Sequence, residues 1–159
     1  MTNLSIASSC PLTSRRSPAS NLVPGDSNGH KDVFVYDIEE KRVERVGLAH
    51  DGSQGNGDCR TPSISGDGRY VTFPSAASNL VPGDTHGQTD IFVYDRVLGE
   101  IRRVGWAWNG AEPNGESHTP VVSADGRRLA FLSFAANLVP GDTNRVSDVF
   151  LVDSQASPI

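Results

Sequence analysis

The sequence is poor in cysteine and in long apolar runs, and each shortage excludes a class of protein. Its two cysteines, Cys10 and Cys59, have no second Cys or His at metal-ligand spacing, so we predict two unpaired thiols, with a disulfide between them as the alternative. No segment approaches the roughly 18 consecutive apolar residues of a membrane helix. The start of the chain lacks the basic and apolar regions of a signal peptide. We therefore predict no membrane span, and we expect any export signal to lie outside this chain.

Basic charge is also scarce. Fourteen Lys and Arg residues stand against nineteen Asp and Glu, which gives a net charge of −5 without a basic cluster. Such a chain is a poor partner for a phosphate backbone, so we expect no nucleic acid binding. Glycine (16) and proline (10) are abundant among the 159 residues. This composition favours a turn-rich β protein over a helical bundle, and the length suits one domain or part of a larger one.

The strongest feature of the sequence is internal repetition at a constant spacing. The string Asn-Leu-Val-Pro-Gly-Asp begins at Asn21, at Asn79 and again at Asn137, so it returns every 58 positions. Two other segments return at the same spacing with few changes: Asp32–Asp37 as Asp90–Asp95 and Asp148–Asp153, and Thr61–Arg69 as Thr119–Arg127. A repeat of this length predicts tandem copies of one supersecondary unit.

The one complete repeat predicts four short strands separated by turns. These strands are Ser63–Ser65, Arg69–Phe73, Ile91–Tyr94 and Glu100–Val104. An Asp-Gly pair between the first two supplies the positive φ angles of a tight hairpin. The third strand is apolar on both faces, which is typical of a strand that is covered on both sides. Such a small antiparallel sheet must stack on its neighbours to be stable.

Tandem four-stranded sheets are typical of β-propeller blades, and a β-solenoid is the alternative. We predict an all-β fold, a partial β-propeller of four-stranded antiparallel blades with a 58-residue repeat. The segment Pro62–Phe73, followed by Asp90–Asp95, resembles the WD-like repeat of TolB-type propellers, in which a Ser-x-Asp-Gly turn precedes an apolar strand. The long Asn-Leu-Val-Pro-Gly-Asp connection makes the period longer than in usual repeats of this type.

The repeat also predicts how the chain divides. We expect an irregular segment over 1–19 and an incomplete propeller over 20–159, made of a partial blade (20–58), a full blade (59–116) and a partial blade (117–159). The first blade is expected to lack its inner two strands and the third its fourth strand, which leaves about two and a half blades. Closed rings need about 4 to 8 blades. The chain is therefore either a fragment or completes a ring with other copies, and Asp148–Asp153 should form an unpaired edge strand.

A set of oxygen-bearing side chains recurs in the loop before the third strand of each blade. Its members are Asp26, Asn28 and Asp32, then Asp84, His86 and Asp90, then Asp142, Asn144 and Asp148. Carboxylate and amide oxygens are the ligands that Ca²⁺ prefers, so the aspartates and asparagines are candidate calcium ligands. The alternative is turn structure, because Asp after Pro-Gly accepts backbone N–H bonds locally. A histidine in the middle copy is a poor calcium ligand.

The evidence for catalysis is thin. The histidines (His30, His50, His86, His118) lie in predicted loops outside any metal-binding pattern, and no nucleophile-elbow motif is present. Trp106 and Trp108 are expected to pack in the core or between blades, with a surface that stacks on a sugar or a peptide as the alternative. Asp37, Asp95 and Asp153 are interpreted as turn formers. We therefore predict that the chain is not an enzyme and that its cofactor is none, or calcium.

The resemblance to TolB-type propellers implies a non-catalytic scaffold that binds a protein or a peptide. It also implies a periplasmic or secreted location. Two other hypotheses stay open: part of the propeller domain of a serine peptidase of the prolyl-oligopeptidase type, and a calcium-dependent or carbohydrate-binding surface protein. The expected partners are proteins or peptides, and further blades of the same chain or of other copies, which would pair through exposed edge strands.

Overall fold

The computed structural model describes residues 4–8 and 22–153. Its strands are β1 (Leu4–Ser8), β2 (Val33–Asp37), β3 (Arg42–Arg45), β4 (Ser63–Ile64), β5 (Tyr70–Ser75), β6 (Asp90–Asp95), β7 (Glu100–Val104), β8 (Ser117–Val122), β9 (Arg128–Ser133) and β10 (Asp148–Asp153). No helix occurs within the described ranges, and strands account for 37% of the residues that the structure describes. The prediction of an all-β partial propeller is confirmed. Cys10 and the segment 11–20 lie outside the described residues.

The middle sheet is the complete unit that the repeat predicts. Its four strands follow the order β4-β5-β6-β7, and each pair is antiparallel. The hairpin between β4 and β5 turns at Gly68, where φ is +73°. Ser65 and Asp67 support that turn, since the Ser65 hydroxyl donates to Asp67 Oδ1 at 2.5 Å and Asp67 accepts the Arg69 N–H at 3.1 Å. The hairpin is therefore confirmed, with a positive φ at Gly68 but not at Asp67.

The third sheet repeats the middle one at the predicted spacing. Its order is β10-β9-β8, and β9 and β10 lie 58 positions after β5 and β6 at both ends. Ser133 at the end of β9 pairs with Asp148, as Ser75 pairs with Asp90. Within the described residues β10 pairs only with β9, so the expectation of an edge strand at Asp148–Asp153 is confirmed there.

The first sheet corrects the expectation of an irregular segment over 1–19. β1 pairs antiparallel with β2 and places Leu4 opposite Asp37. In the middle sheet Tyr70 lies opposite Asp95, so β1 takes the place that β5 has there. Leu4 precedes Tyr70 by 66 positions rather than 58, and the expectation failed because it sought this strand at the repeat spacing. The order β1-β2-β3 gives three strands instead of the expected two.

Two apolar layers separate the three sheets. The layer between the first two sheets contains Val33, Val35, Val46, Ala49, Cys59, Val71, Phe73, Ala77, Leu80, Val81 and Phe92. The next layer contains Ile91, Val93, Val122, Leu129, Phe131, Ala135 and Leu138. β6 supplies side chains to both layers, which confirms that the third strand is covered on both faces. Burying each large side chain contributes about 1.5–3 kcal/mol, so stacking is the main stabilising term for these small sheets.

The recurring Asn-Gly pair marks a close approach between neighbouring sheets. A Cβ added at Gly57 would lie 2.6 Å from the backbone nitrogen of Ala77, and one at Gly115 would lie 2.6 Å from the carbonyl carbon of Phe134. Real Cβ atoms do not come so close to backbone, so glycine is required at both positions. The connection that leaves one sheet therefore passes directly over the backbone of the next.

Candidate functional site at the arginine and aspartate clusters

In its second and third copies, the Asn-Leu-Val-Pro-Gly-Asp motif is hydrogen-bonded to the preceding connection. Asn79 Nδ2 donates to the carbonyl of Gln54 at 2.9 Å, and Asn79 Oδ1 accepts the N–H of Asn56 at 3.0 Å. Asn137 makes the two equivalent bonds at 2.9 and 3.0 Å. Because the motif is held in this way, Asp84 at the end of the middle copy lies in a buried position, 6% exposed.

The middle cluster consists of Asp84, Asp90, Arg103 and Glu112. Nη1 of Arg103 lies 3.5 Å from Asp84 Oδ1, 3.2 Å from Asp90 Oδ2 and 2.9 Å from Glu112 Oε1. β6 pairs with β7 so that Phe92 lies opposite Arg103, and the guanidinium thereby reaches the start of β6. The arginine side chain is fully buried. A cation therefore lies between the two aspartates of this loop, and it is a guanidinium of the chain itself.

The first cluster has the same plan with Asp26, Asp32, Arg45 and Gln54. Nη1 of Arg45 lies 3.1 Å from Asp26 Oδ1, 3.4 Å from Asp32 Oδ2 and 3.3 Å from Gln54 Oε1. Every member lies 58 positions before its counterpart in the middle cluster. In two copies of the repeat, an arginine on the second strand after the loop therefore neutralises the loop's aspartates.

The two clusters differ by a pair of substitutions that change their charge together. The first cluster has amides at both variable positions, Asn28 and Gln54, and Asn28 Nδ2 donates to Asp32 Oδ1 at 3.3 Å. The middle cluster has His86 and Glu112 instead. The two ring nitrogens of His86 lie 3.6 Å from one oxygen each of the two aspartates in that cluster. The extra carboxylate is thus accompanied by a side chain that can carry positive charge.

Trp106 covers the guanidinium of the middle cluster. Its ring centroid lies 3.8 Å from Cζ of Arg103, a close cation–π contact. Nε and Nη2 of Arg103 have no hydrogen-bond partner among the described residues, so the ring compensates in part for their burial. Trp106 thus packs on Arg103 of the strand that precedes it, and packing in the core or between blades stays an expectation for it. For Trp108 that expectation is wrong, because its side chain is 64% exposed in the turn that follows.

Burial and hydrogen bonding move the pKa values of the three acids of the middle cluster in different directions. Burial raises the pKa of Asp90 to about 6, despite the opposing attraction of Arg103 and His86. Burial also raises the pKa of Asp84. For Glu112, burial acts in the same direction, but hydrogen bonds from Thr85 and Arg103 outweigh it and lower its pKa to about 2. Glu112 therefore stays ionised in mild acid, whereas Asp90 takes up a proton near pH 6.

In the third cluster, Asp142, Asn144 and Asp148, no arginine that the structure describes lies between the aspartates, and Arg145 of the same loop is exposed. Asn144 Nδ2 donates to both Asp148 oxygens, at 3.1 and 2.9 Å, as Asn28 does to one oxygen of Asp32. Within residues 22–153 no basic side chain forms an ion pair with either aspartate of this cluster. The three residues and Phe150 instead line an open cleft beside β10.

The structure brings together the side chains that the calcium hypothesis named, loop by loop. In the first two loops the arginine lies between the aspartates. In the middle cluster, Asp84, His86 and Glu112 are near enough to bind one metal ion together, because their ligand atoms lie within 4.8 Å of one another. Arg103 already contacts that group through Glu112 at 2.9 Å. Calcium binding stays a prediction. In the third cluster, no arginine of the described residues forms an ion pair with the aspartates, so a calcium ion would not compete with a guanidinium for them there.

Sequence reasoning missed four positions of the clusters: Arg45, Gln54, Arg103 and Glu112. Each arginine lies on an outer strand that alternates polar and apolar residues, which predicts exposure rather than burial. One signal was present, because Arg103 and Glu112 follow Arg45 and Gln54 at the spacing of the repeat. Searching the repeat for paired opposite charges, instead of ligand patterns within one loop, finds the two arginines and Glu112, and Gln54 follows as the counterpart of Glu112.

The other predicted residues have structural roles. Cys59 is a buried free thiol, and burial raises its pKa to about 12, so it is unreactive at neutral pH. Asp37 Oδ1 accepts the N–H groups of Glu39 and Glu40, both at 3.0 Å, and Asp95 does the same for the two residues that follow Arg96. The interpretation of Asp37 and Asp95 as turn formers is confirmed.

No family model matches the chain, and no curated protein matches it. Among solved structures, a TolB from Agrobacterium tumefaciens is similar over 80% of this chain, with a TM-score of 0.52 and 20% identity. The chain has a TolB-like β-propeller fold. It spans 39% of the length of the Agrobacterium protein. The count of two and a half blades stays a prediction.

Two further solved structures are similar to the chain at lower scores. TolB from Acinetobacter baumannii matches 80% of this chain and 25% of its own length, at 23% identity and a TM-score of 0.45. The tricorn protease matches 77% of this chain and 11% of its own length, at 21% identity and a TM-score of 0.47. Among the described residues, none belongs to a helix with the length and apolarity needed to cross a bilayer.

Proposed function

We propose that the chain is a non-catalytic propeller scaffold that binds proteins or peptides through its third sheet. The observation that carries this function is the exposed apolar face of that sheet. Val149 and Leu151 on β10 are 72% and 68% exposed. Their counterparts on β6, Ile91 and Val93, are 0% and 4% exposed because the third sheet covers them.

Further apolar residues extend the same exposed region of the third sheet. Val121 on β8 is 60% exposed, and Phe134, just after β9, is 58% exposed. Contiguous apolar patches on a soluble protein mark interaction sites more often than they occur by chance. The partner with matching chemistry is a protein that presents an apolar sheet face, and a second copy of this chain is the one available for a direct test.

The test measures the mass of the full chain in solution as a function of concentration. We expect the wild-type chain to self-associate and the double variant Val149→Asp with Leu151→Asp to run as a monomer. The matched control is Val97→Asp with Leu98→Asp, because these residues are similarly exposed (71% and 60%) in the β6–β7 turn. A wild-type monomer at all concentrations, or equal effects of the two double variants, contradicts docking on this face.

The comparisons do not favour the peptidase alternative over the scaffold. The peptidase hypothesis requires a separate α/β domain that carries the nucleophile, and the calcium or carbohydrate hypothesis requires a dependence on calcium that can be measured. A periplasmic or secreted location is part of the proposal and is supported by the TolB-like fold.

A further inference from the structure

The geometry points to an arginine-bearing β-strand as the ligand of the third sheet: a segment with the pattern Ile/Val-x-Arg-Val-Gly that pairs with β10 and places its arginine between Asp142 and Asp148. This inference rests on the proposed function and names the partner's chemistry. The pattern is read from the chain itself, since both clusters that contain an arginine take it from Val43–Gly47 or Ile101–Gly105.

The backbone of β10 has room for such a strand. β2 and β6 each pair on both sides, with a preceding strand and with β3 or β7. β10 has the equivalent position in the third sheet and, within the described residues, pairs only with β9. An unpaired edge of six residues presents a row of backbone donors and acceptors, which is the template that strand addition uses.

The register of the incoming strand is inferred from β3 and β7, the strands of the same pattern in the first two sheets. Arg45 lies opposite Phe34, and Arg103 lies opposite Phe92. The third phenylalanine of this series is Phe150, at the same repeat spacing. We therefore place the partner's arginine opposite Phe150. Phe150 lines the cleft together with Asp142 and Asp148, so this register directs the guanidinium to the aspartates.

Charge and burial agree with this placement. Asp84 and Asp90 are 6% and 0% exposed with Arg103 beside them. Asp142 and Asp148 hold the same two positions and are half-buried. A carboxylate pair in a partly desolvated cleft is stabilised by a donor of opposite charge, and a guanidinium supplies both the charge and several N–H donors.

The experiment uses the full chain and a labelled peptide with the sequence of residues 99–105, Gly-Glu-Ile-Arg-Arg-Val-Gly. Binding is followed by fluorescence anisotropy. The peptide with Arg103→Ala should bind about tenfold more weakly or worse, because it loses charge-assisted hydrogen bonds to two carboxylates. The peptide with Arg102→Ala is the matched control, since it loses the same charge one position away, and we expect a change of less than about threefold.

Variants of the chain test the other side of the contact. Asp148→Asn should weaken binding of the parent peptide about tenfold, whereas Glu116→Gln, an equal charge change at an exposed position of the same sheet, should have little effect. Hydrogen exchange should show new protection of the β10 amides on binding. Equal binding of the two alanine peptides, or no binding by any of them, overturns the inference.

Two outcomes distinguish this inference from the proposed function and from the calcium hypothesis. If the peptide fails to bind while the Val149 and Leu151 double variant still abolishes self-association, the arginine strand is wrong and the proposed function stands. If calcium raises the melting midpoint, Asp148→Asn removes that rise, and the peptide does not bind, the cluster is a metal site and the inference is overturned.

Discussion

Replacing Arg103 by methionine removes the cation of the middle cluster and keeps most of the side-chain volume. Asp84 and Asp90 would then be two buried carboxylates without a compensating charge. Removing one partner of a buried ion pair costs about 3–5 kcal/mol, and the two aspartates place this site in that range. Domains of this size have a free energy of unfolding of about 5–15 kcal/mol, so the loss is a large share of the total.

The assay is urea and thermal unfolding followed by circular dichroism at pH 7.5. The expected loss corresponds to a fall in the melting midpoint of about 6–20 °C for a chain of this length. Arg102→Met is the control, because it removes the same charge from an exposed position on the same strand and should change stability by less than about 0.5 kcal/mol. The double variant Arg103→Met with Asp90→Asn should recover part of the loss, since it removes one of the uncompensated charges.

Equal stability of the Arg103→Met and Arg102→Met variants would refute the account of the cluster. So would a double variant that is no more stable than Arg103→Met alone. Either result would mean that the guanidinium does not compensate the aspartates and that apolar packing alone sets the position of β7.

Two further predictions concern pH and the connections between sheets. The pKa of Asp90 is raised to about 6 from 3.8, so its contribution to stability is complete below pH 3.8 and is lost as the pH rises through 6. Urea titrations of the wild type and of Asp90→Asn should therefore diverge between pH 4 and 6, with the wild type losing stability relative to the variant by up to about 3 kcal/mol, and parallel curves would contradict the shift. Gly57→Ala should destabilise the chain by more than about 1 kcal/mol, because its Cβ would lie 2.6 Å from a backbone nitrogen of the next sheet. Gly55→Ala in the same connection meets its nearest atom at 3.4 Å and should be tolerated in thermal melts, so equal losses in the two variants would contradict the close approach.

The strands of the complete repeat could be predicted because they depend on local patterns. The hairpin at Gly68, the doubly buried β6 and the alternating β7 were each predicted from a few neighbouring residues. β1 could not be predicted in the same way, because its pairing with β2 depends on a segment that lies off the repeat spacing. A short strand with few apolar residues gives a weak signal until a partner edge is known.

The candidate site was likewise predictable only in the part that depends on local sequence. The sequence by itself determined that three copies of an aspartate-rich loop exist and that each precedes an apolar strand. Only the tertiary structure decided which cation meets those aspartates, because antiparallel pairing brings Arg103 beside Asp90, 13 residues earlier in the chain. Spacing along the chain records which residues recur, whereas strand register decides which charges become neighbours.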